Sequence, residues 1–172
     1  MLTVGHSTRP VEELVALLRE NRAARVLDVR TVPRSRHNPQ YNADALQKSL
    51  AAAGIAYRHL PALGGLRRPR KDSVNQGWKN DSFRGYADYM QTPEFEAALA
   101  ELMALSEEET VCILCAEAVP WRCHRSLIGD ALSVRGVEVR HIMGPGKLQT
   151  HRLTPFAQVE GLIITYPFAL QG

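Results

Sequence analysis

The stretch "TVCILCAEAVPWRCHRSLIGDALSVRG", residues 110–136, decides the fold. Thr110 to Cys115 is a near-continuous apolar run with the length of one buried strand. Beyond Cys123, the residues Leu127, Ile128, Ala131 and Leu132 recur at helical spacing, and Gly136 ends the run. A buried strand, a short polar turn and an amphipathic helix are the parts of a parallel sheet covered on both faces. The turn between them gathers Glu117, Trp121, Arg122, Cys123, His124 and Arg125.

The same alternation runs outward on both sides. "LTVG" (2–5) reads as a strand, followed by a helix with Val11, Leu14, Val15 and Leu18 on one face. "RVLDVR" (25–30) and "AYRHL" (56–60) read as strands either side of a helix capped by Asn42 and ended by Gly54. Two helices, one with Phe83 and Tyr86 and one opened by Thr92 and Pro93, precede the central strand. "VEVRHI" (137–142) reads as a fifth strand, and "GLIITYP" in the tail offers a sixth. The sequence therefore predicts an α/β fold. It is one three-layer, Rossmann-like domain over residues 1–172, with a mostly parallel sheet of about five strands. Residues 64–82, basic and rich in turn formers, read as a mobile loop.

Composition agrees with a globular core: 172 residues, 45% hydrophobic and 23% charged. The net charge of +3 favours an anionic partner. No apolar run approaches the roughly 20 residues of a membrane span. The start of the chain lacks signal-peptide architecture, and three cysteines is an odd count for a disulfide framework. A cytoplasmic location with reduced thiols and no membrane partner is expected. Nothing indicates a cofactor.

In such sheets, ligands bind beyond the carboxyl ends of the strands. The unusual polar residues follow those ends. His6 and Ser7 follow the first strand; Arg30, Arg34 and Arg36 follow the second; "CAEAVPWRCHR" follows the fourth. If the first and fourth strands are neighbours, "GHST" faces that turn, and Gly5 lets a ligand come close.

At these residues the chain resembles a prokaryotic family catalogued as domain of unknown function 488. "TVGHSTRPVEEL", "LDVRTVPRSRHNPQYN", "HLPALGG" and "LCAEAVPWRCHRSLI" carry the resemblance, which covers nearly the whole chain. It implies a single α/β domain and no settled activity.

Three chemistries compete for the turn. A zinc site on Cys112 and Cys115 fails on geometry, because residues three apart in a strand point to opposite faces about 10 Å apart. Sulfurs sharing one zinc lie within about 4 Å. No metal is expected, and Cys112 reads as a core residue. A cysteine nucleophile at the strand end is similar to the rhodanese and cysteine-phosphatase arrangement, but Pro120 lacks an N–H and Glu117 repels an anion. The third reading makes Glu117 the chemical group. His124, Arg122 and Arg125 carry the wrong sign for a helix N-terminus, so a negative group should offset them. That group is a bound anion, Glu117 or Asp28.

The expected site places Glu117, His124 and Cys115 in catalytic roles. His6, Ser7, Arg30, Arg34, Arg36, Trp121, Arg122, Cys123 and Arg125 are the ligand-binding set. The expected ligand is an anionic small molecule bearing phosphate, or a nucleotide. One alternative is a non-catalytic nucleic-acid-binding module, from "RTVPRSRH" and "GLRRPRK". The other is a thiol redox or cysteine-nucleophile protein using Cys115 and Cys123.

Overall fold

The computed structural model describes residues 1–168. The strands are β1 (Leu2–Gly5), β2 (Arg25–Asp28), β3 (Ala56–His59), β4 (Val111–Cys115), β5 (Arg140–Gly144) and β6 (Lys147–Thr150). They form one sheet in the order β3-β2-β4-β1-β5-β6. The first five are parallel, and β6 returns antiparallel to β5. The fold is α/β as expected, with one strand more than the expected five.

Side-chain alternation along β4 splits the core. Cys112 and Leu114 face α1 (Val11–Glu20) and α2 (Ala43–Ala52), packed with Leu14, Leu18, Leu46 and Leu50. Val111, Ile113 and Cys115 face the opposite layer of α4 (Pro93–Glu108) and α5 (Arg125–Ser133), with Leu99, Leu102, Leu127 and Ile128. Helix α3 (Asp81–Tyr89) packs on that side through Tyr86 and Ala87. Cys112 and Cys115 thus belong to different cores, as the period of two demands.

The helix signals hold with one change of role. Thr92 caps α4 by accepting from the Phe95 N–H, and Asn80 caps α3. Asn42 sits at the start of α2, yet its Oδ1 accepts from the Ser35 N–H at 2.8 Å. It ties down the loop after β2 instead of capping.

The C-terminal third departs most from expectation. The fifth strand begins at Arg140, because residues 137–139 cross from α5 before reaching the sheet. The polar "KLQT" pairs as β6, exposed on an edge where apolar periodicity gives no signal. "GLIITYP" does not join the sheet: Ile163–Thr165 (β8) pairs with Gln158–Glu160 (β7) in a separate hairpin.

Of the basic segment 64–82, residues 64–80 are coil anchored at their middle, and the last two open α3. Asn75 is buried, its Nδ2 donates to Asp88 Oδ1 at 2.7 Å, and its Oδ1 accepts from the Tyr166 N–H at 2.9 Å. Ser73 donates to the same carboxylate, and the Arg67 guanidinium lies 3.7 Å from the centre of the Tyr89 ring. Among the described residues, no helix is long and apolar enough to cross a membrane.

Candidate functional site

Because β1 to β4 are parallel, His6, Arg30, His59 and Glu117 all lie at or just past the same edge. β1 and β4 are neighbours, with Gly5 in register with Cys115. A cleft of about 760 Å³ opens there. It is lined by His6, Ser7, Arg30, Arg34, Cys115, Glu117, Arg122, Cys123 and His124, among others. Nine of the expected residues therefore meet in one cavity. Arg36 and Trp121 are exposed and do not line it. Arg125 does not line it either, being buried beneath it.

The turn after β4 crosses directly over β1. A Cβ on Gly5 would stand 1.7 Å from the Glu117 carbonyl oxygen. The glycine thus admits the 116–118 backbone, not a ligand as its position in the sequence suggested. The crossing is stitched by His6 N–H to the Cys115 carbonyl and Ser7 N–H to the Ala116 carbonyl, each 2.9 Å. Ser7 holds φ at 49°, a conformation a non-glycine residue adopts at some cost.

Asp28 is fully buried and takes Arg30 in a two-pronged bond, Nε to Oδ1 at 2.9 Å and Nη2 to Oδ2 at 2.6 Å. Tyr57 donates to the same carboxylate at 2.6 Å. This pair fixes the second strand's exit and orients Arg30 at the cleft. His6 stacks on Tyr41 with ring centres 4.1 Å apart. Its Nδ1 donates to the Ser7 carbonyl at 2.8 Å, so Nε2 keeps its lone pair toward Arg30 at 3.4 Å. Burial, then the charge of Arg30, hold His6 below its usual pKa, although its bond to Ser7 opposes this.

His124 is oriented by the same logic. Its Nε2 donates to the Val29 carbonyl at 3.1 Å, which leaves Nδ1 as the acceptor, 3.6 Å from Cys123 Sγ. The Arg125 N–H also reaches Cys123 Sγ, at 3.4 Å. Cys115 Sγ and Cys123 Sγ are 2.7 Å apart, and both thiols are free. Burial by itself would raise the Cys123 thiol. Once the thiol proton has passed to His124 Nδ1, the hydrogen bonds that Cys115 and His124 then make to the thiolate, with the charge His124 has gained and that of Arg125, outweigh burial and hold it well below the usual thiol range. Cys115 moves the other way, raised by burial and by the bond and charge of Cys123.

Arg125 solves the wrong-sign problem without Glu117's or Asp28's carboxylate. Its Nη2 donates to the Glu117 carbonyl at 2.8 Å, and its Nη1 to Thr3 Oγ1 at 3.0 Å. Behind Thr3 runs a chain that the sequence did not reveal. Thr3 bonds His141 Nδ1 at 2.6 Å, His141 Nε2 bonds His151 Nδ1 at 3.0 Å, and His151 Nε2 bonds Asp130 Oδ1 at 2.8 Å. Asp130 can only accept, so His151 Nε2–H donates to it; when both histidines are neutral, the remaining protons of the chain point the same way, from Arg125 toward Asp130. Among the described residues, no cluster of three or more His, Cys, Asp or Glu side chains has metal-holding geometry.

In comparisons with known proteins, no curated protein and no solved structure matches the chain. A family model does match, over residues 10–132, a span that holds α1 to α4, all of α5 but its last residue, and all of the cleft except His6, Ser7 and Thr8. The chain belongs to the family described as Domain of unknown function DUF488.

Proposed function

We propose that the carboxyl-edge cleft binds a small anionic ligand bearing phosphate, such as a mononucleotide. The observation that carries this reading is the charge of the lining. Arg30, Arg34 and Arg122 with His6 and His124 face a single carboxylate, Glu117. Arg30 is committed to Asp28, while Arg34 and Arg122 make no ion pair among the described residues. Two guanidinium groups left unmatched around a cavity of ligand size suit a phosphate, whose oxygens take paired N–H donors. Glu117, exposed at the rim, is in this reading the group that exchanges a proton with the bound molecule.

Calorimetric titration with inorganic phosphate and with a mononucleotide tests it. Binding should weaken by about tenfold or more in Arg34→Ala/Arg122→Ala, each lost charge-assisted bond being worth about 1.5–3 kcal/mol. Glu117→Gln should bind phosphate as well as the wild type or a few-fold better, since it removes like charge. Failure of both ligands to bind at millimolar concentration overturns the proposal. If single-stranded nucleic acid then binds with a steep salt dependence, the nucleic-acid alternative takes its place.

A further inference from the structure

We propose that Cys123 and Cys115 form a redox-active dithiol on the floor of the cleft. Cys123 attacks a small anionic disulfide, and Cys115 resolves the product into an internal disulfide. The inference goes beyond anion binding, and the geometry of the sulfurs carries it independently.

Both cysteines are among the residues that line the cleft, although they are only 2% and 6% exposed. At 2.7 Å from each other their sulfurs need only a small side-chain adjustment to bond. Their surroundings differ, and the difference assigns their roles. Cys123 touches His124 Nδ1, whose lone pair is aimed at it by the bond of Nε2 to Val29. It also receives the Arg125 N–H at the start of α5, where a thiolate is favoured. Cys115 makes no contact with a base; its thiol faces the Glu117 carbonyl at 3.7 Å and Cys123. Cys123 is therefore the attacking sulfur and Cys115 the resolving one. Cys112 faces the other core, and burial raises its thiol to about 12.

The exchange balances in two steps. Cys123 passes its proton to His124 Nδ1 and attacks one sulfur of the small disulfide. A protein–ligand S–S bond forms, the original S–S bond breaks, and the leaving thiolate takes the proton from His124. Cys115 then attacks Cys123 Sγ, the mixed bond breaks, and the second leaving thiolate takes the proton of Cys115. Two cysteine thiols are oxidised to one disulfide, and the small disulfide is reduced to two thiols. The unmatched arginines of the lining favour a co-reactant that carries carboxylates.

Glutathione disulfide serves as the probe, with acid quenching and peptide mapping without reductant. The wild type should yield a Cys115–Cys123 cross-link with Cys112 free. Cys115→Ser should stop with glutathione on Cys123, and Cys123→Ser should acquire neither product on the same timescale. His124→Gln should slow the first step by about tenfold or more at neutral pH and move its pH–rate profile upward. Three free thiols in the wild type after prolonged excess oxidant, or a cross-link through Cys112, overturns the proposal. Should Cys115→Ser fail to fold, iodoacetamide labelling of the native wild type decides: Cys123 must react well before Cys112, and equal rates refute the assignment.

Discussion

Arg125 is the residue at which sequence reasoning and structure part most informatively. Its position at the start of α5 marked it as a charge in need of a partner. The expected resolutions were a bound anion or a carboxylate from Glu117 or Asp28. Instead the guanidinium is 1% exposed, holds the Glu117 and Ala118 carbonyls and leans on Thr3. Its partners are backbone oxygens of its own turn and a hydroxyl 122 positions away, so no local pattern could announce them. Asp28 was legible as a buried arginine partner, but for Arg30, two residues on. The consequence is a prediction for Arg125→Ala. The change opens a cavity and leaves the Glu117 carbonyl unsatisfied, so a loss of about 3 kcal/mol or more is expected. For a chain of this size, each kcal/mol lowers the melting temperature by roughly 2–4 °C. Phosphate affinity of the folded variant at low temperature should change by no more than a few-fold, because the side chain lies outside the cleft. A variant that melts like the wild type but no longer binds phosphate would place Arg125 in the ligand's contact set instead.

At the scale of elements, the crossing of the 116–118 turn over β1 shapes the site. Gly5→Ala should test it, because its Cβ cannot coexist with the Glu117 carbonyl as placed. Overpacking of this kind costs about 1–3 kcal/mol. The displaced turn carries Glu117 and is tied to Cys115, so phosphate binding and Cys115–Cys123 cross-linking should both fall. Gly54→Ala is the matched control. It strains a backbone at φ +74° with nothing nearby, and should cost about 1–2 kcal/mol without touching either readout. Equal effects of the two changes on binding and cross-linking would mean that the crossing does not shape the site. The sequence made the strands β1 to β4 and their common edge legible because β1, β2 and β4 are largely apolar runs followed by polar turns, while β3, half polar, follows directly on a helix ended by Gly54. That pattern fails after residue 136. β6 is polar and exposed on an edge, so alternation has no buried face to report. β8 is apolar, yet it pairs with β7 and leaves Ile163 exposed, so hydrophobicity alone misassigned it to the sheet. The cleft's membership was mostly legible from strand ends. Trp121 and Arg36 were not separable from it, since side chains on a turn point either way.

At the scale of the molecule, one polarised chain crosses the fold from the cleft to the C-terminal segment. It begins at the Glu117 carbonyl, passes through Arg125, Thr3, His141 and His151, and ends on Asp130, which also accepts from Tyr166 at 2.8 Å. Gly129 makes room for it: a Cβ there would stand 2.7 Å from the His151 ring. Turn, β1, β5, α5 and the segment after β6 are thereby joined through side chains that sequence patterning reads as unrelated polar residues. The arrangement requires His141 neutral, since protonation of Nδ1 would turn a donor against the Thr3 hydroxyl and put charge beside Arg125. Burial first, then the charge His151 carries once it is protonated and that of Arg125, lower the His141 pKa from 6.5 to about 3. The sign follows from linkage: the unfolded chain binds the proton more readily, so the folded state loses stability as pH falls. This contribution is complete above about 6.5 and declines continuously toward about 3. His6, also held below its usual value, adds in the same direction. Each pH unit within the window is worth up to about 1.4 kcal/mol for one fully shifted group. Urea unfolding at pH 7.5 and pH 4.5 should therefore show a fall in wild-type stability about 2 kcal/mol larger than in His141→Gln. That variant keeps an amide donor toward His151 but cannot titrate, and it should be the less stable protein at pH 7.5 and lose less on acidification. Parallel losses in the two proteins would mean that His141 is protonated in the fold, and the directed chain from Arg125 to Asp130 would have to be redrawn.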